Sequence, residues 1–188
     1  LRGKCRVCGS RIPARVPFVE FLGGVTFAAI GWRYGVTLDA LLLVVTLSFL
    51  LVITIIDLEH KLVLNKVLMW ALPTALVSSA LWSEDLRTPA WDLGIRQLSL
   101  ASDAMVAGLA GFALLLLLAV LSRGGMGGGD VKLAAVLGLW VGLQRLPMTL
   151  LVGVILGGIA AIILILFRRS GRKDAMPFAP FLCGGTLI

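Results

Sequence analysis

Charge is what this chain has least of. Charged residues make up 14% of its 188 positions, against about 25% in a typical soluble domain. By contrast 59% of the residues are hydrophobic, and the mean hydropathy is +1.02. The deficit excludes a water-soluble globular domain and marks an integral membrane protein. At roughly 20 residues per crossing, the length suffices for six or seven spans and leaves little for a separate soluble domain. Histidine is reduced to His60 alone. With no second histidine or acidic cluster to join it, an interfacial surface role is expected there rather than metal ligation. Three cysteines do not make a disulfide framework. Cys5 and Cys8 form a CxxC, whereas Cys183 stands alone in an apolar segment and reads as a small buried residue. An initiator methionine is also missing. The basic opening LRGKCRVCGSRIPAR has no small-residue cleavage site behind it, so it is not a signal peptide. The last residues, FLCGGTLI, break off within an apolar run, and both ends read as cut from a longer protein.

What remains is a series of apolar stretches. Spans are expected near 17–34, 38–56, 62–82, 101–121, 131–145 and 147–167, with a seventh starting at about 177. The fold class is therefore all-α: a polytopic membrane helix bundle of six spans plus the start of a seventh, preceded by a short cytoplasmic cysteine loop. Two regions follow, 1–15 as that loop and 16–188 as the transmembrane domain. Gly138 and Gly142 in the fifth span, and Gly153 and Gly157 in the sixth, are small-xxx-small faces whose expected role is close helix packing.

The net charge of +7 does not point to nucleic acid. The basic residues sit in short loops between spans, the pattern of topology signals with anionic lipid headgroups as partners. Arg2, Lys4, Arg6, Arg11 and Arg15 precede the first span, Lys61 and Lys66 follow the second, and Arg123 and Lys132 flank the fourth-to-fifth loop. Arg145 stands alone before Pro147, and Arg168, Arg169, Arg172 and Lys173 follow the sixth span. The loop from Ser83 to Leu100 instead carries Glu84, Asp85 and Asp92 against Arg87 and Arg96. Every second loop is richer in basic residues and is assigned to the cytoplasm. Asp57, closing span two, and Asp130, opening span five, then fall on the same cytoplasmic face.

Asp130 lies in GGMGGGDVKLAAVLG, between a glycine run and an apolar helix. A carboxylate at a membrane helix end is costly and is a functional candidate by default. Two carboxylates brought close near a low-dielectric boundary do not both ionise readily, which leaves one acid and one base. Hydrolysis of a peptide by an aspartic pair needs that arrangement: the ionised group activates water and the protonated one supports the scissile carbonyl. A substrate must also present extended backbone, and the run from Gly124 to Gly129 offers an unobstructed edge for it. Two plainer readings stand beside this one. Asp130 could be an ordinary helix N-cap, and Asp57 with Glu59, His60 and Lys61 a solvated polar turn. Lys132 opposes the helix dipole from the first turn, costing about 0.3–1 kcal/mol if exposed. Its partner is expected to be Asp130 or an acidic group on a substrate, unless the side chain simply snorkels. Cys5 and Cys8 read as one knuckle of a four-ligand zinc site, with a redox role as the alternative.

These residues together resemble the type IV prepilin peptidases, bacterial members of the GxGD aspartic membrane proteases. GGGDVKLAAVLGLWVG is similar to the family's GxGD segment, with Gly127, Gly129 and Asp130 on its glycines and aspartate. IDLEHKLVLNKV is similar to its first aspartate motif, with Leu64 where proline is usual, so a looser turn is expected after Asp57. LRGKCRVCGSRIPARVPFVEFLGG resembles the second half of a cytoplasmic four-cysteine zinc loop, and MPFAPFLCGG resembles the start of the last helix. The resemblance implies Asp57 and Asp130 as the catalytic pair and Cys5 and Cys8 as two of four zinc ligands. It also implies an endopeptidase of the bacterial inner membrane, acting at the cytoplasmic face. Its substrates would be prepilin or pseudopilin proteins, which lose a short basic leader cut after a glycine. Proteolysis needs no cofactor. Zinc is structural in such a loop, and many members then methylate the new N-terminus from S-adenosylmethionine. Gly127, Gly129 and Lys132 are the candidate substrate contacts, Lys132 toward an acidic residue near the start of the mature pilin helix. Two other functions use the same carboxylates differently: a transporter or proton relay, and a non-catalytic scaffold of a secretion apparatus.

Overall fold

The computed structural model describes residues 3, 13–82, 100–122, 126–166 and 177–187. Cys5, Cys8 and the polar stretch 83–99 lie outside the described residues. All described secondary structure is helical. In chain order the helices are α1 (Arg15–Tyr34), α2 (Leu38–His60), α3 (Asn65–Leu81), α4 (Leu100–Leu121), α5 (Gly128–Leu166) and α6 (Ala179–Gly185). The chain divides into two compact units, Leu1–Val44 and Val45–Ile188. α1 and the first turns of α2 belong to the first unit, and everything from Val45 onward to the second.

Within the second unit small and large apolar residues share the interior. Ala71, Ala75, Ala104, Ala107 and Ala134 have no exposed surface, and neither do Leu115, Leu133 and Leu137. Leu109, Leu117, Val120, Leu121, Met69 and Trp70 face outward. Lipid is as apolar as leucine, so burying leucine between helices gains little there, and close backbone approach becomes the source of cohesion. Three described helices are long and apolar enough to cross a membrane: Leu38–His60, Ser102–Leu121 and Gly128–Ile163.

α4 and α5 show this approach most clearly. A Cβ added at Gly138 would meet the carbonyl oxygen of Ala107 and lie 2.8 Å from the Cα of Gly108, and one at Gly111 would lie 2.7 Å from the carbonyl oxygen of Ala134. Farther along α5, Gly153 faces Leu182 and Gly157 faces Phe178. The packing role expected of Gly138, Gly153 and Gly157 is therefore the one they have.

Gly142 departs from that expectation. An unbroken helix over Gly128–Ile163 would be about 54 Å long at 1.5 Å per residue, well beyond a hydrocarbon core of about 30 Å. α5 is interrupted, and the break falls at Gly142, with φ 75° and ψ 173°, rather than between Arg145 and Pro147. The left-handed half of φ space is open to glycine and costly for other residues. At the break, Leu143 N–H donates to Asp103 Oδ2 on α4 at 3.1 Å. A carboxylate from a neighbouring helix thus caps the second half of α5, while Pro147 and Arg145 are carried inside the helix. Asp103→Ala is expected to cost about 0.5–2 kcal/mol, the usual value of an N-cap, and Asp103→Asn much less. Apparent melting temperatures of the two variants in one detergent check this.

In α3, Pro73 lies inside the helix and cannot donate to the preceding turn. The Thr74 hydroxyl lies 3.1 Å from the Trp70 carbonyl and 2.8 Å from that of Ala71. These bonds go to carbonyls other than that of Met69, the one a residue at position 73 would ordinarily bond.

Candidate active site

Asp57 occupies the last turn of α2, four residues before that helix ends in a left-handed residue. Lys61 takes φ 53°, and its N–H donates to the Asp57 carbonyl at 2.8 Å. The expected solvated turn is therefore only partly present. Leu58, Glu59 and His60 are exposed, whereas Asp57 is 3% exposed and turned inward. His60 lies at the surface, its Nε2 3.9 Å from Glu59 Oε2.

What receives Asp57 is the far end of the chain. Ala179 N–H, at the start of α6, donates to Asp57 Oδ2 at 2.9 Å. Pro177 and Pro180 bracket this segment, and Gly157 lets the Phe178 ring lie against α5. Behind it, Cys183 is 4% exposed and hydrogen-bonds with Thr54. The small buried role expected of Cys183 holds, although it sits beside the carboxylates rather than in a remote apolar segment.

Asp130 is the third residue of α5, not the residue that caps it. The helix begins at Gly128, and Asp130 N–H donates to the Gly127 carbonyl at 3.1 Å. Its carboxylate is half-buried, close enough to Asp57 for the two to interact electrostatically. The two carboxylates chosen from sequence are thus brought together, one from the end of α2 and one from the start of α5.

The glycines before Asp130 divide their roles. A Cβ at Gly128 would meet nothing within 4 Å, and one at Gly127 would meet only Asp130 Oδ2, at 3.3 Å. At Gly129 it would lie 2.8 Å from Val63 Cβ. The open edge expected along the run is therefore present at Gly127 and Gly128. At Gly129 it is filled by this chain's own α2–α3 connection, because the small residue lets α5 seat directly on Val63. Gly124 and Gly125 lie outside the described residues.

Lys132 also finds a different neighbour from those expected. Its Nζ donates to Asn65 Oδ1 at 3.0 Å, a neutral amide at the start of α3 rather than Asp130. Asn65 closes the apolar-Pro-Asn/Asp triplet of the motif that resembles the family's first aspartate segment, but Lys132 was not expected as its partner. Ala179 is the residue that nothing local marks as belonging near an aspartate. Leu64 has φ −70° and ψ 122°, and this φ is the one that proline imposes. Leu64 thus holds a backbone conformation that proline would also adopt. Leu64→Pro should leave the melting temperature unchanged or raise it, by up to about 1 kcal/mol of stability.

Among the described residues no group of three or more His, Cys, Asp or Glu is placed to hold a metal. Cys5 and Cys8 supply two thiolates, half of a tetrahedral zinc set by donor chemistry, and both lie outside the described residues.

Comparison with known proteins gives a consistent result. A family model described as the type IV leader peptidase family matches residues 44–162, and one for the bacterial peptidase A24 N-terminal domain matches residues 1–34. The chain is similar to the prepilin leader peptidase/N-methyltransferase of Bacillus subtilis, 30% identical over 187 residues, covering 100% of this chain and 70% of the relative. It is similar to the protein of that name from Aeromonas hydrophila, at 36% identity with coverage of 97% and 60%. It is also similar to that from Neisseria gonorrhoeae, at 35% with coverage of 97% and 59%. The chain therefore spans about 60–70% of the length of these relatives. No solved structure matches it.

Proposed function

This chain belongs to the type IV leader peptidase family, and we propose that Asp57 and Asp130 are its catalytic pair, removing the short basic leader from prepilin or pseudopilin substrates. The observation that carries this reading is the inward-turned Asp57, anchored by Ala179 N–H at 2.9 Å and within electrostatic range of Asp130. A carboxylate held by a backbone donor on Oδ2 keeps its other oxygen available for a water molecule.

The chemistry needs only these two groups and water. The ionised carboxylate takes a proton from the water as its oxygen bonds to the scissile carbonyl carbon, and the protonated partner donates to the carbonyl oxygen. Collapse of the tetrahedral intermediate breaks the C–N bond, and the amine leaves with a proton. Gly127 and Gly128 leave room for an extended substrate to approach this point. No step passes through zinc or S-adenosylmethionine. In the full-length protein we assign zinc to the cysteine loop and S-adenosylmethionine to methylation of the new N-terminus. The excess of basic residues in every second loop supports a position for the aspartates at the cytoplasmic face of a bacterial inner membrane, within a bundle of six spans and the start of a seventh.

The relatives' names support the substrate class, and reconstitution tests it. Full-length protein in liposomes should cut a prepilin once, between leader and mature chain, as read by product mass. Proton or solute flux dependent on the two carboxylates, without any cleavage, would establish the transporter reading instead.

A further inference from the structure

Lys132 and Asn65 stand 67 positions apart in sequence and are joined at 3.0 Å, beside the carboxylate pair. The connection between α2 and α3 runs from Lys61 to Leu64, immediately after the turn that carries Asp57. Lys61 N–H closes that turn on the Asp57 carbonyl. Two residues on, Val63 seats against Gly129, the residue before Asp130. Two further on, Asn65 accepts from Lys132, the second residue after Asp130. The segment leaving Asp57 is thus attached to the first turn of α5 on both sides of Asp130, by an apolar seat and by a polar tie.

We infer that Lys132 and Asn65 are positioning residues: their hydrogen bond presses the 61–64 connection onto α5 and so sets the separation of Asp57 from Asp130. The inference rests on the peptidase reading. Asparagine suits such a tie, since an amide oxygen accepts from the ammonium without neutralising it and leaves the nearby carboxylates as the anions of the site. A lysine whose task was to meet an acidic group on the substrate would need no partner on α3.

The test is a kinetic cycle on the full-length protein in membranes, with a prepilin substrate. Lys132→Met and Asn65→Ala are each expected to lower kcat about 10–100-fold, the scale of a misplaced reacting group, with KM changed by less than about twofold. The double variant should be no slower than the slower single one, because the two residues act as one unit. Lys132→Arg and Asn65→Gln, which keep a donor and a neutral acceptor, should retain most of the rate. A readout independent of activity accompanies this. With cysteines in place of both aspartates and Cys183→Ser, a short bifunctional thiol reagent should link positions 57 and 130, as mapped by peptide mass. Adding Lys132→Met should reduce that link. A raised KM with unchanged kcat for Lys132→Met, alongside a silent Asn65→Ala, would overturn the inference in favour of a substrate contact. Multiplicative losses, or a link unaffected by Lys132→Met, would also overturn it. If the wild type cleaves nothing, the peptidase reading fails and this inference fails with it. If the wild type cleaves and the cycle shows no coupling, the inference alone fails.

Discussion

Asp57→Asn and Asp130→Asn are each expected to slow prepilin cleavage on the order of 10⁴-fold, the scale on which removing one member of a catalytic unit acts, while leaving the fold intact. The reason for asparagine lies in the hydrogen bonds. Ala179 N–H donates to Asp57 Oδ2 at 2.9 Å, and the side-chain oxygen of asparagine can accept the same bond. The substitution also removes a formal charge from a site that is 3% exposed, so stability is unchanged or improved. Asp57→Ala behaves differently. It leaves the Ala179 N–H without its acceptor, and a buried unpaired donor costs about 1–3 kcal/mol. A melting temperature that falls for alanine but not for asparagine, with cleavage lost in both, separates chemistry from support. The check is initial rate and apparent melting temperature measured on the same preparations.

Gly138→Ala is the substitution expected to harm the fold most for its size. In a helix interior, alanine is normally better than glycine by about 1 kcal/mol, so the intrinsic effect favours the variant. At Gly138 the new Cβ would meet the Ala107 carbonyl oxygen and lie 2.7 Å from its carbon. Both obstructing atoms are backbone and cannot rotate away. α4 and α5 must separate instead, and overpacking of this kind costs about 1–3 kcal/mol, which outweighs the propensity gain. Gly158→Ala is the control: a Cβ there meets nothing within 4 Å, so propensity alone acts and stability should rise. Opposite shifts in melting temperature for two glycines of the same helix are the expected result.

The difference between these glycines was beyond the sequence. Gly138, Gly142, Gly153 and Gly157 share one spacing and one apolar context, and a helical period treats them alike. What distinguishes Gly142 is Asp103, 40 positions away, whose carboxylate accepts from Leu143 N–H. Local pattern placed the break at Pro147 because proline is the visible interrupter, whereas the actual break required a partner from another helix. The same limit applies at the site. Asp57 and Asp130 were legible because a carboxylate in an apolar chain is conspicuous and both ended spans at one face. Their supports were not: Ala179 is 122 positions from Asp57, and it acts through a backbone N–H that any residue but proline supplies. Lys132 was legible as an anomaly in a first helical turn. Asn65 was legible as the end of the motif that follows Asp57, but its pairing with Lys132 was not, since the two are 67 positions apart.

The account's central claim is that two carboxylates, from the end of α2 and the start of α5, work together on a prepilin-like peptide. The measurement that tests it most directly is product mass after incubating one prepilin with the full-length protein in liposomes, run in parallel for wild type, Asp57→Asn and Asp130→Asn. The account predicts a single cut by the wild type that separates leader from mature chain, and no cut by either variant while both remain folded. A leader released at the wild-type rate by a folded Asp57→Asn or Asp130→Asn protein would contradict it.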